Sequence, residues 1–399
     1  MSAREVTLPD RYQGGRGLVT GGAVGGLVLL AATFGGLAID PRRTMFSYLV
    51  AFLYWGGISM SAVILLMIFH AFGAKWVVVV RRTVEAMAST VLLFVVLFIP
   101  ILLGLKHLYP WVDPPATLPR DVLKLLAHKK PYLNQTFFVV RTAFYFLMFA
   151  LVAGRLFRLS TRQDEVGGIE LTRRQRIFGT GMLPLISLVF TFAAFDWVMT
   201  LNPLWYSTIF GVYFFAGSFV SVFAILAIAA HRARGPNEFG AYVSIEHIHN
   251  IGKLMLSFVA FWAYVAFSQF MLIWIANLPE EIQFFLPRLK GEWAVVGWML
   301  ILGHFLIPFG ALLSRSLKRN RAKLAAVAVW ILFIHFVDVY WLVLPTLSPE
   351  SLAFHWTTIT AFLGVGLLSI SFTVWRLRGR FAIPVKDPYL ADSLGYRQP

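Results

Sequence analysis

The chain has 399 residues, 58% of them hydrophobic and only 14% charged, where an ordinary soluble domain is nearer a quarter charged. The apolar residues fall in continuous runs of about 20, the length needed to cross a bilayer, which excludes a string of soluble domains and points to a polytopic membrane protein. Cysteine is absent, which excludes disulfides, cysteine-ligated zinc, iron–sulfur clusters held by this chain, covalent c-type haem and a lipidated cysteine anchor; the net charge of +16, which would raise nucleic acid as a partner of a soluble protein, reads here as basic loops on one side of a membrane.

The first stretch, 1–16, is polar. No short apolar run with a small-residue cleavage site follows it, so a removed signal peptide is not expected. Hydropathy then predicts ten helices, at 17–38, 45–72, 83–107, 134–158, 179–201, 206–231, 247–276, 292–315, 323–346 and 351–377, and a polar tail over 378–399. Each run is long and nearly free of charge, which favours helices over barrel strands. The first span carries Gly17, Gly21 and Gly25 at spacing four, with Gly22 and Gly26 beside them, a face that permits close helix approach. Pro100, Pro184 and Pro308 lie inside spans and predict kinks. Between the third and fourth spans, Pro110, Pro114, Pro115 and Pro119 keep the chain irregular. Arg120 to Lys130 then reads as an amphipathic helix lying on the membrane surface, with a lid over a site beneath it as the alternative.

Counting Lys and Arg by side gives orientation. The two termini and the loops on their side hold 24 of the 35, including Arg173-Arg174-Gln175-Arg176 and Lys318-Arg319-Asn320-Arg321, against nine on the other side. Both termini are therefore expected in the cytoplasm.

An ionisable side chain in hydrocarbon costs several kcal/mol unless paired or hydrated, so each one poses a question of function. Arg141, Asp196 and Asp338 are expected in one layer of the outer half, about 8–12 Å below the ends of their helices. His335 is one turn from Asp338. One reading is a neutralised structural group; the other is a proton relay, for which carboxylates and imidazoles are the usual links. A second group opens the seventh span, Glu246-His247-Ile248-His249-Asn250-Ile251-Gly252-Lys253, with Glu246, Asn250 and Lys253 on one face and His249 one turn from Lys253. Glu85 and His70 are candidates to join it. His304, near the middle of the eighth span, lies between the two layers. His304 and His335 as axial ligands of a b-type haem have no further support. No metal site is expected: His247 and His249, two apart, face different ways, and HExxH and a Gly-rich phosphate loop are lacking. Aromatics in the seventh span, among them Phe258, Phe261, Trp262, Phe267 and Phe270, suit packing first and a flat apolar ligand such as a quinone second.

Three segments carry a family resemblance. The seventh span and its loop read His249-Asn250-Ile251-Gly252-Lys253-Leu254, then FWAYVAFSQFMLIWIANLPEE over Phe261 to Glu281. The fifth ends Phe195-Asp196-Trp197-Val198-Met199-Thr200-Leu201-Asn202-Pro203-Leu204-Trp205-Tyr206. The ninth holds His335-Phe336-Val337-Asp338-Val339-Tyr340-Trp341-Leu342-Val343-Leu344-Pro345. From the second span to the tenth the chain resembles the ActF family, integral subunits of bacterial alternative complex III in the wider NrfD/polysulfide-reductase-C superfamily. The resemblance implies an all-α polytopic membrane protein of about ten transmembrane helices. They would form two four-helix bundles, helices 2–5 over 45–201 and 6–9 over 206–346, plus peripheral helices. It implies a place in the bacterial cytoplasmic membrane within a quinol:cytochrome c oxidoreductase. That complex oxidises menaquinol or ubiquinol, with haem c and iron–sulfur clusters on partner subunits and a homologous NrfD-like subunit beside this one. This chain, catalytic in nothing by itself, would supply a proton path in two halves and a quinone-binding surface. Asp196, His335 and Asp338 fall on the family's motifs, as do His249 and Lys253. Asn202 and Leu204 stand where the family carries an acidic residue and a histidine, so the resemblance does not extend to a proton exit through that loop. Two other classes stay open: the quinol-site anchor of a molybdopterin-type reductase, and a stand-alone transporter with two repeats around a central site.

Overall fold

Among the described residues, ten helices long and apolar enough to cross a bilayer match the ten predicted spans. They are α1 (Arg16–Ala38), α2 (Pro41–Phe72), α3 (Val78–Leu103), α4 (Gln135–Val166), α5 (Ile169–Leu201), α6 (Phe210–Arg232), α7 (Ile245–Ala276), α8 (Gly291–Leu313), α9 (Arg321–Thr346) and α10 (Trp356–Leu377). The computed structural model describes residues 9–114, 119–235, 237–352 and 354–397, and no strand occurs among them. The first eight residues of the amino-terminal stretch, Pro115 in the loop after α3, and the last two residues of the tail lie outside the described residues. The fold is all-α, with an even number of spans that returns both ends of the chain to one side.

The largest boundary difference is at α4 and α5, which run well beyond the predicted 158 and begin well before 179. Charge marks where a helix leaves the apolar layer, not where it ends. Arg162, Arg173, Arg174 and Arg176 all lie on helical extensions. What stops the helix is Gly167-Gly168, with φ of 73° and 87°, a region that only glycine enters freely. In α3 the break comes at Ser89 and Thr90, whose hydroxyls donate back to the carbonyls of Ala86 (2.7 Å) and Met87 (2.6 Å). Pro184 sits inside an uninterrupted helix. Pro308 follows a π-helical turn at Ile301–Leu306. Proline offers no N–H to the carbonyl four residues earlier, here that of His304, and the wider turn absorbs the mismatch.

Within α2–α5, helix α2 packs on α3 and α5, and α4 on α3 and α5. Their core is a run of ring contacts among Phe52, Phe94, Phe98, Phe146 and Trp197. Within α6–α9, helix α6 packs on α7 and α9, and α8 on α7 and α9. Helix α2 lies at the centre and also touches α6, α9 and α10. Its small residues allow this: a methyl at Gly57 would stand 2.5 Å from Ser218 Oγ. Helix α1 packs on α10, so the Gly22 and Gly26 side of the glycine-rich span has an internal partner. The close-approach residues are Gly22 and Gly26, the latter against Gly364 O, whereas Gly17 and Gly21 meet nothing. The amphipathic helix forms as predicted, at Arg120–Lys129. Among its described side chains only Leu126 is buried, while Leu123 and Leu125 stay exposed, as befits a helix lying in an interface.

Candidate functional site

The predicted outer layer forms two separate sites, one per bundle. In the first, α4 brings Arg141 to Asp196 near the end of α5. The guanidinium donates twice, Nε to Oδ2 at 2.7 Å and Nη2 to Oδ1 at 3.0 Å, and its Nη1 donates to the carbonyl of Tyr132 at 2.9 Å. The Tyr145 hydroxyl donates to the same carboxylate at 2.8 Å. Arg141 also stacks over the rings of Tyr132 and Phe137. A bidentate pair of this kind is the strong form of ion pairing, and Asp196 makes it while fully buried. Beside it, under the amphipathic helix, lies a cavity of about 330 Å³ lined by Lys129, Tyr132, Thr200, Pro203 and Trp205. Burial, and after it the Asp196 charge, push the Tyr132 phenol up to about 12. Partial burial pulls the Lys129 amine below the ordinary lysine value, and that amine donates to Pro203 O at 2.7 Å.

The second site is built around Asp338 on α9. Tyr213 of α6 donates its hydroxyl to Oδ1 at 2.5 Å, and the Trp262 indole of α7 donates to Oδ2 at 3.1 Å. His335, one turn back, has its Nδ1 3.8 Å from Oδ2. The π-turn of α8 brings in His304, whose ring lies 3.9 Å from that of Trp262 and 6.0 Å from that of His335. Tyr54 of α2 stacks on His335 from the other side. All four ring nitrogens of the two histidines lack a hydrogen-bond partner. Gly217 makes room for the cluster: a methyl there would stand 2.7 Å from His335 Nδ1 and 3.3 Å from the Asp338 carboxylate. Gly217→Ala is therefore expected to displace His335 and to destabilise the protein by about 1–3 kcal/mol, read as a lowered unfolding midpoint in detergent.

Next to this cluster is a cavity of about 610 Å³, walled by Tyr213, Trp262, Phe270, Phe284, Phe305 and Trp341. Arg288 reaches its wall. This arginine is 3% exposed and gives its three hydrogen bonds to the carbonyls of Phe284, Trp341 and Leu342. Its guanidinium lies 3.6 Å from the Phe284 ring. No carboxylate pairs with it among the described residues. Sequence reading missed Arg288 because it sits in a loop, outside every span. It missed Tyr213 because a tyrosine in an aromatic-rich helix carries no spacing signal.

The predicted inner group does not form one cluster. Glu85 is fixed in a buried network: Arg81 (3.2 Å) and Arg82 (3.3 Å) pair with it, Arg82 pairs with Asp164 (2.6 Å), and Arg81 with Asp387 of the tail (2.7 Å). Glu246 pairs with Arg319 at 2.7 Å. His247 completes a capping box with Ser244 at the start of α7 and packs against Trp76 and Tyr396. His249 and Asn250 are buried, whereas Lys253 is exposed on α7. His70 is buried against Gly179. Helical spacing told which of these share a face, but not that their partners lie on other helices and in the tail.

Fold and sites together define a multi-pass membrane protein with a buried carboxylate in each bundle. Compared with models of known families and with curated proteins, the chain matches none.

Proposed function

We propose that the chain is the proton-conducting membrane subunit of a quinol:electron-acceptor oxidoreductase of the alternative complex III kind, set in a bacterial cytoplasmic membrane with both termini inside. The observation that carries this reading is the pair of buried carboxylates, each held by a tyrosine and a cationic or imidazole neighbour. Ionisable groups so placed mark proton or ion paths in membrane proteins. Asp196 and Arg141 would serve the outer half, through the cavity at Tyr132 and Thr200. His335, Asp338 and His304 would form the central relay. An inner half fits the cavity of about 340 Å³ between the bundles, where Ser59, Thr83, Thr90 and Ser369 supply hydroxyls and Arg232 and Glu238 add charges. Its wall includes Trp55, whose ring touches that of Tyr54, which in turn stacks on His335. Glu85, Glu246, His247 and Lys253 take no part in this path.

The aromatic cavity at Arg288 is of the size and character of a small-molecule pocket, and a menaquinone or ubiquinone head fits its chemistry. With no cysteine for clusters or c-type haem, electron carriers would belong to the partners, iron–sulfur and cytochrome c subunits and a homologous membrane subunit. Two measurements test the reading. A tagged chain is expected to copurify with c-type cytochrome and iron–sulfur proteins, and recovery without them rejects the assignment. In vesicles holding that complex, Asp338→Asn is expected to abolish proton movement per electron while assembly persists; an unchanged ratio removes Asp338 from the path.

A further inference from the structure

We infer that His304, His335 and Asp338 form a binding site for a divalent transition-metal ion of the zinc class. One donor atom from each residue lies within 4.8 Å of the other two, and each residue is 1% exposed. An ionised carboxylate only accepts hydrogen bonds, and a neutral imidazole offers one acceptor nitrogen. Acceptors that converge on one buried point are satisfied by a cation. Of the four unpartnered ring nitrogens, one acceptor on each imidazole would be met by the ion, and an unsatisfied buried polar group costs about 1–3 kcal/mol.

The donor set selects the ion. Two imidazoles and one carboxylate suit zinc and its neighbours, whereas magnesium and calcium take oxygen ligands. Three protein ligands leave a fourth position for water or an anion. Donors around a tetrahedral zinc lie about 3.3 Å apart, given bonds of about 2.0 Å, so the 3.8 Å between His335 Nδ1 and Asp338 Oδ2 needs only a small side-chain adjustment. The carboxylate is already oriented by outer partners, the Tyr213 hydroxyl and the Trp262 indole, as ligating carboxylates usually are. Both partners, with Phe305, also wall the cavity beside the cluster. Sequence spacing pointed away from metal because the set joins two helices, and His304 reaches it from a π-turn.

The inference rests on this geometry and not on proton conduction, which an ion bound here would block because a ligating carboxylate carries no proton, and its test needs no turnover. The purified full chain, stripped with chelator and titrated with Co²⁺, is expected to bind one equivalent with the intense visible absorption of tetrahedral cobalt, and to release it to Zn²⁺. X-ray absorption of the zinc form is expected to count two imidazoles. His304→Leu and Asp338→Asn are expected to lose that equivalent, and the double variant His247→Ala/His249→Ala to keep it. Tyr213→Phe is expected to weaken zinc about 10–100-fold, the usual effect of losing an outer partner. Absence of the cobalt spectrum overturns the inference and leaves the cluster a proton site only. The same equivalent retained in His304→Leu also overturns it. Should the variants fail to fold, fewer than two imidazoles in the wild-type zinc spectrum does so.

Discussion

Replacing Arg82 with leucine is expected to destabilise the protein by about 3–5 kcal/mol, the largest effect of any single charge removal at the end that carries the termini. Arg82 is completely buried. It pairs with Glu85 at 3.3 Å and with Asp164 at 2.6 Å, and Asp164 also accepts from the backbone N–H of Val385 in the tail at 3.2 Å. Leucine fills part of the volume but leaves two buried carboxylates with one arginine, Arg81, which already serves Asp387. The loss therefore comes from uncompensated charge more than from the missing attraction. Two comparisons isolate that cause. The triple variant Arg82→Leu/Glu85→Gln/Asp164→Asn removes the stranded charges and is expected to recover most of the stability. Lys75→Ala, which breaks an exposed 2.8 Å pair with Asp392, is expected to leave the unfolding midpoint nearly unchanged. Unfolding midpoints in detergent, with limited proteolysis of the tail as a second reading, measure all three. A triple variant no more stable than Arg82→Leu would place the energy in packing instead.

That network also shows what one sequence can and cannot tell. The number of spans, their order and the all-α class followed from run length alone, because a bilayer imposes one dominant scale on every span. Asp196 and Asp338 stood out because charge is rare in such runs. Their partners did not. Arg141 was recognisable as an intramembrane charge, yet nothing in its spacing joined it to Asp196 and not to Asp338. Glu85 read as a candidate for the inner group because Asp164 lies on a helix that continues past the apolar layer, and Asp387 in a tail with no signal of its own. His304 seemed alone because only the π-turn before Pro308 and the absent side chain of Gly217 let two histidines close on one carboxylate. Local periodicity fixes faces, but which faces meet depends on glycine contacts and helix irregularities spread over the whole chain.

The two carboxylates occupy corresponding places. Asp196 and Asp338 each lie near the end of the last helix of a bundle, seven residues before a proline, Pro203 and Pro345, and ahead of a 3-10 turn at Met199–Leu201 or Leu344–Thr346. They differ in neighbours: a bidentate arginine for one, imidazoles and an indole for the other. The first pair therefore poses the sharper question, because a salt bridge alone explains it. Arg141→Gln is expected to cost about 3–5 kcal/mol by stranding a fully buried carboxylate. Asp196→Asn is expected to cost less, since the remaining guanidinium keeps its bond to Tyr132 O and its place over two rings. The double variant Arg141→Gln/Asp196→Asn leaves neither charge and is expected to return close to wild-type stability. Its proton movement per electron, measured with a pH dye in vesicles holding the copurified complex, is expected to stay as low as that of Asp196→Asn alone. An amide can replace the hydrogen bonds of a carboxylate but cannot take up a proton at physiological pH. If the double variant regains both stability and a wild-type proton ratio, Asp196 serves to neutralise Arg141 and carries no proton.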